Sequence, residues 1–174
     1  VSLERIESGL ATINGNMARQ VKSGRVSESD RDAALARIQI AQTFEEFEDI
    51  DLVIESAAED EALKRQIFDD LCKILRPEAL LGSNTSSLSI TRLAAATDRP
   101  EQFIGIHFMN PVPVMELVEL IRGIATSEET FESTRVCVER LGKSIAVAED
   151  FPAFIVNRIL LPMINEAIYT LYEG

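Results

Sequence analysis

Asp51-Leu-Val-Ile-Glu-Ser-Ala-Ala-Glu59 decides the fold. Its first half is a short apolar run of the kind buried on both faces of a parallel sheet, and its second half is small residues leading to a carboxylate. A helix follows over residues 60–75, where Leu63, Ile67, Leu71, Ile74 and Leu75 share one face and Pro77 stops it. Downstream the alternation repeats. Ala79-Leu-Leu81 reads as a strand closed by Gly82-Ser-Asn-Thr-Ser-Ser87, and a short helix covers 89–96. Phe103-Ile-Gly-Ile106 is a strand running into His107-Phe-Met-Asn-Pro111, and Met115 to Ile121 is another. A helix over 128–141 and a strand at Ser144 to Ala148 complete the series. Strands alternating with helices predict an α/β fold with a doubly wound, mostly parallel sheet.

Upstream, residues 1–38 carry two helical stripes separated by Ser23-Gly24, which reads as an inserted helical hairpin. Ser27 precedes Glu28 and Asp30 as the cap of its second helix. A short strand is expected at Gln39 to Ala41. Beyond Asp150-Phe-Pro152 the pattern changes, because Phe154 to Tyr172 is one long helix, apolar on most sides, with no strand after it. The expected division is therefore a sheet domain over 1–150 and the start of an all-helical domain over 151–174.

With 174 residues, 46% of them hydrophobic, and only 6 Pro and 8 Gly, disorder is excluded. No apolar run approaches the roughly 18–20 residues that span a bilayer, so a membrane protein is not expected. Seventeen Lys and Arg against 29 Asp and Glu leave a net charge of −12, a field that repels nucleic acid and anionic lipid alike. Cys72 and Cys137, each in a helical segment, read as small core residues in a reducing, cytoplasmic setting. The chain opens on Val1, with no leader visible, and is expected to begin inside a longer protein.

Ligands of open parallel sheets sit outside the carboxyl ends of the strands, which directs attention to three segments. Ser56 to Glu59, with Lys64 soon after, exposes small residues to a ligand, although helix-start chemistry also explains the acids Glu59, Asp60 and Glu61. Ser83 to Ser87 offers hydroxyls, and a helix cap with a turn explains these too. His107 is the sole histidine. Glu119, twelve residues on along a following strand, is placed to return beside it and accept its ring N–H, freeing the other nitrogen as a base. Without a Cys-His cluster the pair suits proton transfer rather than a metal, and no metal is expected. The absence of a G-x-S-x-G elbow argues against a hydrolase triad. Taking a proton from a hydroxyl calls for an electron acceptor, and a nicotinamide on such a sheet would be one.

Ser83-Asn-Thr-Ser-Ser-Leu-Ser-Ile90, Gly105-Ile-His-Phe-Met-Asn-Pro-Val-Pro-Val-Met-Glu-Leu-Val-Glu119 and Asp150-Phe-Pro-Ala-Phe-Ile-Val-Asn-Arg158 closely resemble the L-3-hydroxyacyl-CoA dehydrogenases. The resemblance runs through essentially the whole chain, and the wording is most similar to the bacterial 3-hydroxybutyryl-CoA branch. It implies a Rossmann-like domain and oxidation of an L-3-hydroxyacyl-CoA to the 3-ketoacyl-CoA, with hydride passing to NAD. It implies that His107 is the general base, that Glu119 pairs with it, and that Ser86 and Asn157 orient substrate. NAD contacts fall on Glu59 with Ala58 beside it, and on Lys64, Ser86 and Asn110. The family places the coenzyme A nucleotide against the hairpin, where Arg19, Lys22 and Arg25 would meet phosphates, although a solvated helical face accounts for those three equally well. A homodimer through the helical domain is also implied. The family opens with a strand, a G-x-G-x-x-G loop and a ribose-binding acid, so this sequence is expected to be an interior piece. NAD rather than NADP comes from the resemblance alone. Two other readings stay open: a catalytically silent acyl-CoA-binding or assembly fragment, and a related dehydrogenase of the L-gulonate type.

Overall fold

The computed structural model describes residues 2–174; Val1, the first residue of the expected hairpin and sheet domain, lies outside them. The chain separates into two compact units, one up to Glu46 and one over Phe47–Gly174. The first unit is the expected hairpin. Helix α1 spans Leu3–Lys22 and α2 spans Glu28–Leu35. Gly24 ends α1 at φ 73°, a conformation that costs glycine nothing, and its N–H returns to the Val21 carbonyl at 2.9 Å. Ser27 caps α2 by accepting the Asp30 N–H at 3.0 Å.

In the second unit five strands form one sheet in chain order: β1 (Leu52–Glu55), β2 (Leu80–Ser83), β3 (Phe103–Phe108), β4 (Leu117–Arg122) and β5 (Ser144–Glu149). All neighbours are parallel except β3 and β4, which run antiparallel with His107 opposite Glu119. Side chains alternate between faces. Phe103, Ile121 and Ala148 face one core with α3 (Glu61–Cys72) and α4 (Ile90–Ala94), while Ile104, Ile106, Val118 and Leu120 face a second core under α5 (Glu128–Arg140). Helices thus cover both faces, as a doubly wound sheet requires. Gly105 sits where α4 meets the sheet; a Cβ there would lie 2.8 Å from Ile121 and 2.9 Å from Ile90. Asp60, Ser89 and Ser127 cap α3, α4 and α5 with their own side chains. Helix α6 (Val156–Glu173) closes the unit. No helix among the described residues is long and apolar enough to cross a membrane.

Five local expectations need correction. Cys137 is exposed and not a core residue, because Phe131, Thr134 and Val138 form the inward face of α5, whereas Cys72 packs partly buried against the core. Residues 39–41 form no strand, since a three-residue run has no ladder partner among the described residues and β1 pairs only with β2. β1 is accordingly an edge strand, with Ile54 38% exposed, and is not buried on both faces. The inward face of α3 carries Lys64, Phe68 and Leu71, continued by Leu75, while Leu63 points outward. The helix is turned this way because a buried carboxylate on β1 receives Lys64. Finally, α6 starts at Val156, because Ala153 and Phe154 adopt left-handed backbone with φ of 68° and 51°.

Candidate active site

His107 occupies the last turn of the pleat in β3, on the α3/α4 face, with Ile106 and Phe108 pointing to the other core. Glu119 faces it from β4 across the antiparallel ladder. The two side chains meet at 2.7 Å, Nδ1 to Oε2, with Glu119 wholly buried and His107 nearly so. The other oxygen, Oε1, accepts the backbone N–H groups of Ile155 and Val156, both at 2.9 Å. A carboxylate can only accept, so Nδ1 carries the proton and Nε2 keeps a lone pair. Ile155, the capping residue just before α6, has no polar side chain, and Glu119 supplies the missing cap from a different element.

The left-handed pair just before α6 makes this possible. Two consecutive non-glycine residues at positive φ each cost of order 1–3 kcal/mol, and such strain persists only where the surroundings impose it. The reversal buries Phe154, whose ring meets the His107 imidazole edge-on at 6.0 Å between centroids. It also delivers two N–H groups to Glu119. One residue further, Asn157 donates its side-chain amide to the Ser86 carbonyl at 3.1 Å, tying α6 to the loop after β2.

That loop is organised by Glu59. Its Oε1 accepts from Thr85 Oγ1 at 2.5 Å, the Ser86 N–H at 3.0 Å, Ser87 Oγ at 3.1 Å and Ser86 Oγ at 3.3 Å. Partial burial pushes the Glu59 carboxyl up, but these hydrogen bonds and the Lys64 charge outweigh it and hold the group below its ordinary value. Lys64 Nζ lies 3.5 Å from Glu59 Oε2 and is bound more closely by Glu55, at 2.8 and 2.9 Å to its two oxygens. Asn84 Oδ1 accepts the Phe108 N–H at 2.8 Å, joining the end of β3 to the same loop.

His107, Glu119, Ser86, Asn157, Glu59 and Lys64 therefore share one polar assembly at the carboxyl ends of β1, β2 and β3. Ala58 and Asn110 are exposed on the loops that border it. Arg19 and Lys22 lie exposed in the last turn of α1, in the other unit, with the Arg19 guanidinium on the Asn16 side chain. Two contributors escaped the sequence reading. Glu55 reads as the polar end of an edge strand, and its signal is a lysine nine residues on in the first turns of the next helix. Asp150 reads as part of a motif without a role. It accepts from Ser89 Oγ at 2.6 Å, the Thr91 N–H at 2.8 Å and the Ile90 N–H at 2.9 Å, pinning the start of α4 to the end of β5.

The comparisons decide the family. A model described as 3-hydroxyacyl-CoA dehydrogenase, NAD binding domain, matches residues 1–151. The chain belongs to the 3-hydroxyacyl-CoA dehydrogenase family. It is 67% identical over 174 residues to a 3-hydroxybutyryl-CoA dehydrogenase of Bradyrhizobium diazoefficiens, covering all of this chain and 59% of that protein. It is 51% identical to a probable 3-hydroxybutyryl-CoA dehydrogenase of Bacillus subtilis, covering all of this chain and 61% of the other. Among solved structures it superposes on (S)-3-hydroxybutyryl-CoA dehydrogenase from Ralstonia eutropha with a TM-score of 0.96 at 44% identity, over all of this chain and 62% of that one. The chain thus spans about three fifths of the length of these relatives.

NAD is the cofactor of this 3-hydroxyacyl-CoA dehydrogenase domain, and the residues present suit it. Ser56, Ala57 and Ala58 are exposed and small, so a flat heterocycle can approach their backbone. The Ser86 and Ser87 hydroxyls and the Asn110 amide supply donors and acceptors of the kind a carboxamide and ribose require.

Proposed function

We propose that the protein oxidises an L-3-hydroxyacyl-CoA, 3-hydroxybutyryl-CoA in the first place, to the 3-ketoacyl-CoA. The observation that carries this reading is the 2.7 Å contact of His107 Nδ1 with a fully buried Glu119, which leaves Nε2 as a base at the carboxyl end of β3. Bound NAD supplies the hydride acceptor. His107 Nε2 takes the proton of the C3 hydroxyl as the C3 hydride departs, giving the ketone. Glu119 keeps the imidazole in its tautomer and stabilises the imidazolium that forms. Ser86 orients the reacting oxygen, and Asn157 fixes Ser86 through its carbonyl. Glu59, Lys64, Ser86, Asn110 and Ala58 hold the cofactor, and the exposed Arg19 and Lys22 are offered to the coenzyme A phosphates.

The same proposal divides the chain into an NAD-binding part over 1–150 and the start of a helical domain over 151–174. In support, α6 leaves Ile159, Leu161, Met163, Ile168 and Tyr169 more than half exposed on several sides, apolar surface suited to further helices and to a second copy in a homodimer. The free Cys72 and Cys137 suit a reducing cytoplasm.

The test is the full-length protein with acetoacetyl-CoA and NADH, compared with L-gulonate and NAD. The proposal expects NADH consumption with the thioester and none of comparable rate with the sugar acid. The reverse preference supports the gulonate-type alternative, and no turnover with either supports a silent module.

A further inference from the structure

The proposed mechanism gives Glu55 no task, yet this carboxylate is 2% exposed and neutralises an ammonium that is 1% exposed. Burying such a pair strips both charges of water, and apolar residues of similar volume often hold two elements together equally well. What sets this pair apart is what it fastens. Glu55 Oε1 accepts the Ala57 N–H at 2.5 Å, and Oε2 accepts from Ser83 Oγ at 2.7 Å. Lys64 Nζ, held by the same carboxylate, extends to the Ala57 carbonyl at 3.4 Å and Glu59 Oε2 at 3.5 Å. One buried group thereby fixes the loop 56–59 twice, directly at Ala57 and through the ammonium at Glu59, and Glu59 fixes Thr85 to Ser87 in turn.

We propose that Glu55 is a positioning residue for nicotinamide-cofactor binding, acting through Lys64 on the loop that carries Ala58 and Glu59. The proposal rests on reading these strand ends as the cofactor site. Without the Glu55 charge, the buried ammonium keeps Glu59 as its one carboxylate and turns toward it, displacing the loop. Glu55 has no hydrogen bond to His107 or Glu119 among the described residues, so its loss falls first on binding and reaches the chemical step only as far as Ser86 follows Glu59.

The test uses the full-length protein: NADH affinity by fluorescence titration, and KM and kcat with acetoacetyl-CoA, for wild type, E55Q, K64M and E55Q/K64M. E55Q is expected to raise Kd and KM for NADH about tenfold, the scale of one hydrogen bond to a charged group, and to lower kcat by a smaller factor. The double variant is expected to bind NADH no more weakly than K64M, because both substitutions cut one path. Wild-type NADH affinity in folded E55Q, or losses that add in the double variant, overturns the proposal. If E55Q alone does not fold, the double variant, which leaves no charge buried, decides by comparison with K64M. A wild type that binds no NADH overturns the cofactor-site reading itself, which separates that failure from this one.

Discussion

Glu119 stands directly opposite His107 in the antiparallel ladder of β3 and β4, and binds it through one oxygen while its other oxygen receives the first two N–H groups of α6. A single buried carboxylate therefore sets the tautomer of the imidazole and caps a helix. The two tasks separate under substitution.

His107→Gln removes the group proposed to take the hydroxyl proton, without touching the loops assigned to the cofactor. Turnover is expected to fall by on the order of 10²–10⁴-fold with NADH affinity little changed. Steady-state kinetics beside an NADH titration checks this, and near-normal turnover would remove His107 from the mechanism.

Glu119→Gln keeps the shape but cannot accept at both oxygen positions. Whichever way the amide is turned, its NH₂ meets either the two helix N–H groups or Nδ1–H. If the carbonyl stays on the helix, Nδ1 must become the acceptor, and Nε2 then carries the proton. Turnover is expected to drop by on the order of 10³–10⁴-fold, as for a base held in the wrong tautomer, with the fold retained. Glu119→Ala leaves two buried N–H groups unsatisfied at roughly 1–3 kcal/mol each, so its unfolding temperature is expected to lie well below that of the Gln variant. Equal unfolding temperatures would mean that the cap does not contribute.

Asp150 makes stability depend on acid. Half-burial pushes its carboxyl up, but hydrogen bonds from Ser89, Thr91 and Ile90 more than offset this and hold it below its ordinary value. A carboxyl with a depressed folded-state value contributes fully above the ordinary aspartate value and loses that contribution as pH falls through the folded one. Thermal unfolding followed from about pH 7 to about pH 3 is expected to show a fall in wild type that is smaller in Asp150→Asn. At neutral pH the Asn variant is expected to be less stable by roughly 1–2 kcal/mol, the scale of a lost cap. Parallel curves for the two proteins would assign the acid sensitivity elsewhere.

The parts legible in sequence were those governed by periodicity and by local caps. The apolar runs at 51–55, 103–106 and 144–148 announce strands because four or more mostly apolar residues bounded by turn residues suit a half- or fully buried pleat, and Ser27 announces the start of α2. Long-range pairing was less visible. Counting apolar residues puts Leu63 inward on α3, whereas the partner waiting at Glu55 turns Lys64 inward, a pairing that helical periodicity does not contain. The helix expected from Phe154 starts two residues later, because Ala153 and Phe154 are left-handed so that the N–H groups after them reach a residue 36 positions upstream. His107 with Glu119 was legible because their separation of twelve residues suits two strands joined by a loop.

The cap that Glu119 places on α6 also makes the joint between sheet and helix a lever. The carboxylate is one planar group, so a tilt of the helix that keeps its two N–H groups on Oε1 carries Oε2 with it and re-aims the imidazole. Where the first turn of α6 points and how the histidine is aimed are thus joined through a single side chain.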